Sequence, residues 1–267
     1  MARPSASSVV SVRRRPPRAL VAALQLLAFA VVVGLWETLS RASVLDPFFF
    51  SRPSDIALRI AGWLATGYIW PHLATKLFEA MSAFVLGILS GVAAGLALAR
   101  VELLAAVFDP YIRVLNALPR VILAPIFMIW FGLGILSKVA LGVTLVFFVV
   151  FFNTYQGVRE VDPVILNNAR MLQASPRQLM RHVYVPSAMA WIFSSLHTSI
   201  GFALVGAVVG EYIGAARGIG YIVAQAQGVF DTTGVFAGLL LTSIVVLAID
   251  LGIERLERYL LRWRPRA

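Results

Sequence analysis

The sequence of 267 residues contains no cysteine, and only 13% of its residues are charged. The absence of cysteine excludes disulfide bonds, a thiolate metal site and a thiol nucleophile. A soluble domain of this length carries about twice that charged fraction. Because 60% of the residues are hydrophobic and stand in unbroken runs rather than amphipathic stripes, the composition predicts an integral membrane protein.

The sequence also lacks the motifs of several enzyme classes. It has no G-x-x-x-x-G-K-[ST] loop, so we do not expect this chain to hydrolyse ATP. The three histidines are scattered without metal-ligand spacing, so we expect no metal site. A membrane-embedded enzyme would need paired carboxylates or a histidine cluster within its spans, and a secondary transporter an inverted repeat of broken helices. Neither is evident, and we expect no catalytic residue and no cofactor bound by this chain.

The apolar runs predict an all-α protein with six membrane spans. The predicted spans are residues 20–39, 77–99, 108–131, 136–152, 187–212 and 239–253. They make up a transmembrane domain at residues 19–254. A disordered basic tail at residues 1–18 precedes it, and a basic tail at residues 255–267 follows it.

Two of the predicted spans have unusual residues. In the second span Gly87, Gly91 and Gly95 stand four residues apart, a spacing that lets helices approach closely. We expect this face to pack within the bundle rather than to form a homodimer. The third span is interrupted by prolines, which free backbone carbonyls and are tolerated where protein or a water-filled cavity covers them. These prolines are Pro110, Pro119 and Pro125.

Polar groups inside spans are costly and often line a path across the membrane. The candidates for a translocation pathway are Asn116, Ser195, Ser199 and Glu211. Other roles remain open for most of them. The serines can be hydroxyls that pack helices together, and Glu211 can lie near the outer interface or pair with Arg217. The neighbouring Arg120 can line the same path or extend to the cytoplasmic edge of the membrane.

The basic residues are distributed by loop, which predicts the orientation of the chain. With the amino terminus inside, the inner segments hold 17 of the 23 basic residues. Both termini are therefore predicted to be cytoplasmic, in a multi-pass protein surrounded by the lipid bilayer. The net charge of +10 follows from this segregation, and we expect no nucleic-acid partner.

A polar, basic stretch from Asn167 to Pro186 lies between two apolar runs, within a predicted cytoplasmic loop at residues 153–186. It predicts one short helix at 167–172 and the start of another at 176–182. Ser175 is placed to cap the second helix, with proline in its first turn. Two short helices with an apolar side form a docking device for a soluble partner. The alternative is an ordinary solvated loop on the positive side of the membrane.

This loop resembles the signature loop of ABC-importer permeases, in which Glu-Ala-Ala is followed by three residues, Gly, nine residues and Ile-x-Leu-Pro. The residues at these positions are Asn167, Asn168, Ala169, Gln173, Val183, Val185 and Pro186. The spacing matches throughout, but Asn167 replaces the glutamate and Gln173 replaces the glycine. The segments "LNALPRVILAPIFMIWFGLG", "FFNTYQGVREVDP" and "GIGYIVAQAQGVFDTTGVFA" are similar to the nitrate/sulfonate/taurine subgroup.

The resemblance implies a six-span bundle of the type I ABC-importer kind, acting as the permease subunit for a small solute. The implied solute is an anion such as a sulfonate, taurine or nitrate. Relatives also carry thiamine-pathway pyrimidines, which is one alternative. An independent secondary transporter is another.

The resemblance also implies partners and a localisation in the cell (inner) membrane. The partners are two copies of an ATP-binding subunit that holds ATP and magnesium, a second permease copy forming a homodimer, and an extracytoplasmic solute-binding protein. The loop would couple the chain to the ATP-binding subunit, with Pro186 setting the angle at which the chain leaves it. The implied coupling residues are Asn167, Asn168, Ala169, Arg170, Leu172, Gln173, Ala174, Ser175, Arg177 and Pro186.

Overall fold

The computed structural model describes residues 17–260, and every regular element within them is a helix. The chain divides into two compact units, one ending at Asp55 and the other beginning at Ile56. The predicted amino-terminal tail lies outside the described residues apart from Pro17 and Arg18, and Arg18 already begins the first helix. The first residues of the predicted carboxy-terminal tail at 255–267 continue the last helix to Leu260, and the rest lie outside the described residues.

The first unit contains one long apolar helix, α1, at Arg18–Arg41 and a short helix, α2, at Pro47–Phe50. The carboxylate of Glu37, near the end of α1, accepts hydrogen bonds from the backbone N–H of Ser54 at 3.0 Å and from its hydroxyl at 2.8 Å. It also accepts one from Arg41 at 2.6 Å. One carboxylate therefore fixes the turn between α1 and the chain that follows α2.

The second unit contains α3 from Ile56 onward and all later helices. In chain order, after α3 at Pro53–Ala65, they are α4 Ile69–Arg100, α5 Glu102–Ala117, α6 Ala124–Phe131, α7 Ile135–Arg159, α8 Pro163–Met171, α9 Pro176–Leu179, α10 Val185–Ile213, α11 Ile219–Gly228 and α12 Thr232–Leu260. A 3₁₀ turn at Arg120–Leu123 precedes α6, and a π-helical turn at Met180–Tyr184 joins α9 to α10.

Within residues 17–260, five helices are long and apolar enough to cross a membrane, and the count is six if one bent pair of helices is a single span. The bent pair consists of 103–117 and 120–131, whose axes differ by 87°. The helix of the second span begins at Ile69 rather than near residue 77. Its early polar residues, His72 and Lys76, are buried against other helices, so they do not end the apolar segment.

The core of the second unit is the contact among α4, α7 and α10, and glycine makes it possible. A methyl group on Gly91 of α4 would lie 2.9 Å from the carbonyl oxygen of Phe147 on α7. A methyl group on Gly206 of α10 would lie 2.5 Å from the Cα of Gly142 on α7. The glycine face predicted on the second span therefore packs within the bundle, as expected. Ala83, Val146, Val150, Ile200 and Leu204 fill the surrounding space.

A second cluster joins the start of α4 to α11 and α12 through Ile69, Ile219 and Leu241. The segment that connects α10 to α11 is fastened by Gly218, whose φ of +117° suits glycine. Its backbone N–H donates to Nδ1 of His72 at 3.1 Å. These contacts bring the connecting segment back onto α4, beside the end of α10.

Candidate functional site

The polar loop between α7 and α10 is shorter than the predicted 153–186. Helix α7 continues to Arg159, and Asn153 is accommodated within it because its side-chain amide donates to the carbonyl of Val149 at 2.8 Å. The next helix, α8, begins at Pro163 rather than at Asn167. Asp162 caps it by accepting from the backbone N–H of Val164 at 2.7 Å, and proline occupies its first turn.

The turn between α8 and α9 contains the Gln173 that stands at the glycine position of the permease pattern. Gln173 adopts a left-handed backbone with φ of +55°. Its N–H donates to the carbonyl of Arg170 at 2.9 Å, and the N–H of Ala174 donates to Ala169 at 3.1 Å. The loop thus keeps a helix-terminating turn of the kind that glycine favours. Here glutamine occupies the left-handed backbone conformation, which is strained for a residue with a side chain.

Ser175 begins the next helix through a reciprocal pair of hydrogen bonds. Its hydroxyl accepts from the N–H of Gln178 at 3.3 Å, and its own N–H donates to the side-chain oxygen of Gln178 at 2.7 Å. This capping box confirms the helix start predicted at Ser175 and Pro176.

Pro186, predicted to set the angle at which the chain leaves the loop, lies inside a helical stretch that is already under way at Pro176. One continuous helical segment runs from Pro176 to Ile213. A proline inside a helix lacks an N–H and presses against the carbonyl four residues earlier. A π-helical turn at Met180–Tyr184 ends two residues before Pro186. Its hydrogen bonds join residues five apart instead of four, so the helical segment can continue past the proline.

The loop exposes large apolar side chains outside the membrane spans. Met171 is 81% exposed and Leu172 is 84% exposed, and both lie at the end of α8. Together with the exposed Val164 and Ile165 they form what we call the loop patch (Val164, Ile165, Met171 and Leu172). Apolar surface of this kind on a water-facing loop marks an interaction site.

Most of the predicted coupling residues are exposed around the loop patch. Ala169 and Ala174 are half-buried, and the others are open to solvent. The exposed members are Asn167, Asn168, Arg170, Leu172, Gln173, Ser175, Arg177 and Pro186. The structure brings them together on one loop, with a rim of arginines beside the apolar side chains.

The left-handed turn makes a prediction for position 173. The Gln173→Gly variant is expected to keep solute uptake at least at the parental level, because glycine adopts this backbone without steric cost. The Gln173→Val variant is expected to lower uptake and to speed proteolysis of the loop, because a β-branched residue tolerates the left-handed region worst. Equal behaviour of the two variants in both measurements would contradict this account of the turn.

The predicted pathway serines lie inside the packed core. The Ser195 side chain is buried and donates to the carbonyl of Ile192 at 2.7 Å. Ser199 is fully buried, and its hydroxyl has no hydrogen-bond partner among the described residues. Neither serine is open to a path in this conformation, and both contribute to the packing of α10.

Glu211 lies in a cluster of buried charges that the sequence analysis did not recognise. We call it the charge cluster: Lys76 and Glu79 of α4, Lys138 of α7 and Glu211 of α10, none more than 2% exposed. Each lysine interacts electrostatically with both carboxylates. The predicted pairing of Glu211 with Arg217 does not form. Instead, a Glu211 carboxylate oxygen accepts from the N–H of Gly220 at 2.6 Å.

The charge cluster ties three helices together at the end of the bundle where α10 meets α11. Lys76 donates to the hydroxyl of Thr242 on α12 at 3.4 Å, and Lys138 donates to the carbonyl of Leu133. The carboxylates of Glu79 and Glu211 also lie close enough to share a side-chain hydrogen bond. Removing one member of such a network leaves an uncompensated charge in the buried interior.

A signal for this cluster was present in the sequence. Lys76 and Glu79 are three residues apart, so they share a helix face, and Lys138 lies in the first turn of an apolar helix. Lys76 stands directly before the predicted span at 77–99, so its depth was not recognised.

The fourth predicted pathway residue, Asn116, lies at the break between α5 and α6. Its side chain is exposed, and its carbonyl and side-chain oxygens both accept from Nη2 of Arg120. The side chain of Arg120 lies against α7. Its guanidinium lies 4.4 Å from the ring centre of Phe148, in the middle of α7.

Long apolar helices, three of them packed closely at glycines, and an exposed loop patch between α7 and α10 are the features to be compared with known proteins. The chain belongs to the family of binding-protein-dependent transport system inner membrane components, whose model matches residues 83–262. The resemblance to ABC-importer permeases found in the loop is thereby confirmed.

Individual relatives agree with this membership. The chain is 31% identical to a protein named as an aliphatic sulfonates transport permease, SsuC of Bacillus subtilis, over 95% of this chain and 92% of the relative. It is 31% identical to the formylaminopyrimidine transport permease ThiX of Halalkalibacterium halodurans (90% and 95%). It is 30% identical to the taurine transport system permease TauC of Escherichia coli (90% and 89%).

The fold is that of a solved importer. The described structure resembles a chain of the MetNI methionine ABC transporter in an inward-facing conformation, with a TM-score of 0.58 at 20% sequence identity. The likeness covers 74% of this chain and 96% of that chain. The predicted all-α fold of the type I importer kind is confirmed.

Proposed function

We propose that this chain is the permease subunit of an ABC importer that moves a small anion, such as a sulfonate, taurine or nitrate, into the cytoplasm. The observation that carries the proposal is the loop patch. Four apolar side chains on a polar loop need a soluble partner to cover them, and a partner bound there can displace the helices on either side.

The proposal includes the predicted orientation and assembly. Both termini and the loop patch face the cytoplasm, in accordance with the distribution of basic residues. Two ATP-binding subunits cover the loop patches of two copies of this chain, and a solute-binding protein delivers the solute to the opposite face. ATP and magnesium are held by the ATP-binding subunits, and the chain acts by alternating access between two openings.

Within this proposal the four pathway residues have different roles. Asn116 lines the path at the break between α5 and α6, where it is exposed. Ser195, Ser199 and Glu211 are buried between helices, and they reach the path only when α10 moves relative to α4 and α7.

A second solute class is favoured by a specific comparison. The relative named as a formylaminopyrimidine permease is as similar to this chain as the relative named for aliphatic sulfonates, at 31% identity. A pyrimidine of the thiamine pathway is therefore the alternative solute. An independent secondary transporter has no comparable observation in its favour.

An uptake experiment tests the proposal and separates the two solute classes. A strain lacking the gene for this chain is grown with a sulfonate or taurine as the only sulfur source. In parallel cultures, nitrate is the only nitrogen source or a formylaminopyrimidine is the only thiamine precursor. Loss of growth on one of the anions, restored by the gene, supports the proposal. Loss on the pyrimidine alone supports the alternative, and unchanged uptake of all four contradicts both. Transport by the purified chain without any partner would contradict the ABC assignment.

A further inference from the structure

Arg120 lies at the break of the third span. Helix α5 ends at Ala117, Pro119 follows, and the 3₁₀ turn that leads into α6 begins at Arg120. The two halves of the span meet at 87°. An irregular backbone at membrane depth is tolerated only where protein or a water-filled cavity covers it. The position of Arg120 is therefore a place where water or a polar ligand is expected.

The depth of Arg120 can be measured along the straight helix next to it. Its guanidinium lies over Phe148, and α7 extends from Ile135 to Arg159. At 1.5 Å per residue, Phe148 is about 20 Å from one end of α7 and about 16 Å from the other. Because the hydrocarbon core is about 30 Å thick, the charge of Arg120 lies well inside it.

Arg120 has no counter-ion among the described residues. Nη2 makes its hydrogen bonds with Asn116. Among residues 17–260, Nε is buried without a partner, and no hydrogen bond joins Nη1 to another residue. None of the ion pairs in the described part of the chain involves Arg120. The guanidinium is thus held in place by Asn116 and Phe148, with donors left over.

The surroundings of Arg120 open away from the packed core. Leu118, Val121 and Ile122 are exposed on both sides of it. A charged side chain facing lipid at the centre of a bilayer costs about 3 kcal/mol on the insertion scale. That cost is avoided if the break faces a water-filled cavity between two copies of the chain, where an anion can supply the missing counter-charge.

We propose that Arg120 is the residue that binds the transported anion halfway across the membrane. This inference rests on the proposed function and names the chemistry of its solute: a small oxyanion, such as a sulfonate or nitrate, whose oxygens accept from the guanidinium. Arginine suits this task because its planar donors match such oxygens and its charge is permanent. Asn116 orients the guanidinium by occupying Nη2 and leaves Nη1 free for the anion.

The first test measures uptake by the full assembly in proteoliposomes, with ethanesulfonate and nitrate as probes. The Arg120→Gln variant is expected to lower uptake at least about tenfold, because a charge-assisted hydrogen bond is lost. The Arg120→Lys variant, which keeps the charge, is expected to retain more uptake than Arg120→Gln. The matched control is Arg113→Gln on α5, where the arginine is 76% exposed and pairs with Asp109 at 2.8 Å. The control is expected to transport at the parental rate.

The second test measures charge at the break directly and uses the absence of cysteine from the chain. Val121→Cys, in the assembled complex, is treated with an anionic and a cationic methanethiosulfonate reagent. The ratio of the anionic to the cationic rate is expected to fall at least about fivefold when Arg120→Gln is added, because the local positive potential is removed. The same ratio at Val114→Cys, an exposed position beside Arg113, is expected to stay unchanged on adding Arg120→Gln.

The outcomes distinguish this inference from the proposed function. If Arg120→Gln transports both anions at the parental rate, the inference is overturned and the importer assignment stands. If neither reagent reacts at position 121, the break faces lipid or packed protein, and the inference is likewise overturned. If Arg120→Gln prevents assembly with the ATP-binding subunit, the reagent ratio is compared between Arg120→Met and the parent. A fallen ratio there supports a charge at the path, and an equal ratio overturns it. An assembly that moves no anion with any variant contradicts the proposed function itself.

Discussion

The Leu172→Asp variant is expected to lose its ATP-binding subunit during purification, with solute uptake falling at least about tenfold. Leu172 is 84% exposed at the end of α8 and is the most exposed member of the loop patch. Burying a leucine side chain against a partner contributes about 1.5–3 kcal/mol, and each 1.4 kcal/mol is about a factor of ten in affinity. An aspartate there loses that contribution and adds a desolvation penalty. Co-purification and uptake in membrane vesicles measure the effect.

The chain offers a closely matched control at Val229. Both residues cap the end of a helix, both are exposed, and each is followed by a residue with a left-handed backbone, Gln173 and Phe230 respectively. Val229→Asp therefore makes the same chemical change in the same local geometry, on the segment between α11 and α12. It is expected to keep the ATP-binding subunit. Loss of that subunit from both variants, or from neither, would show that the loop patch is not the docking surface.

The Lys138→Met variant is expected to destabilise the bundle by about 3–5 kcal/mol, the usual cost of removing one partner from a buried charge pair. Lys138 is 1% exposed, and its removal leaves Glu79 and Glu211 with only Lys76 to balance them. The loss is measured as a lower thermal midpoint of the detergent-purified protein and as a smaller monodisperse fraction.

A double variant separates the charge effect from simple loss of packing. Adding Glu79→Gln to Lys138→Met leaves one lysine, Lys76, and one carboxylate, Glu211. The double variant is therefore expected to lower the thermal midpoint by less than the sum of the decreases caused by the two single variants. Arg113→Met is the exposed control and is expected to change the midpoint little, because surface ion pairs contribute about 0–1 kcal/mol. A Lys138→Met protein as stable as the parent would show that the cluster does not hold α4, α7 and α10 together.

Local sequence signals predicted the parts of the structure that depend on neighbouring residues. The glycines of the second span predicted its close packing, because their four-residue spacing places them on one helix face. Ser175 and Pro176 predicted the start of α9, because capping involves residues three apart. The sequence also placed the coupling residues on a single loop, although it set the beginning of α8 four residues too late by overlooking Asp162 as a cap.

Features that depend on distant residues could not be predicted in the same way. From the sequence alone, Arg120 could also be placed at the edge of the membrane. The 87° bend between the two helices around Pro119 could not be predicted from the proline alone. The side chain of Arg120 packs against Phe148, a contact between residues far apart in the sequence. Likewise, Glu211 looked like a terminal residue of one span, and its burial depends on lysines contributed by α4 and α7.

Pro186 illustrates how local and distant effects compete. In isolation the proline predicts the end of a helix, since it removes a hydrogen bond and crowds the preceding turn. The structure instead widens the turn at Met180–Tyr184 and lets the helical segment continue to Ile213. The free energy gained by burying the apolar residues after Pro186 in one continuous helix exceeds the cost of the irregular turn.

The uninterrupted segment from Pro176 to Ile213 also has a mechanical consequence. At 1.5 Å per residue it is about 56 Å long, so it behaves as a stiff lever with the docking loop at one end and Glu211 near the other. A tilt of only about 5° at the loop moves the far end by several ångströms, which is larger than the 2.6 Å hydrogen bond between Glu211 and Gly220. In the proposed orientation, a small displacement of the loop can therefore break the contact between Glu211 and Gly220 at the far end of the segment.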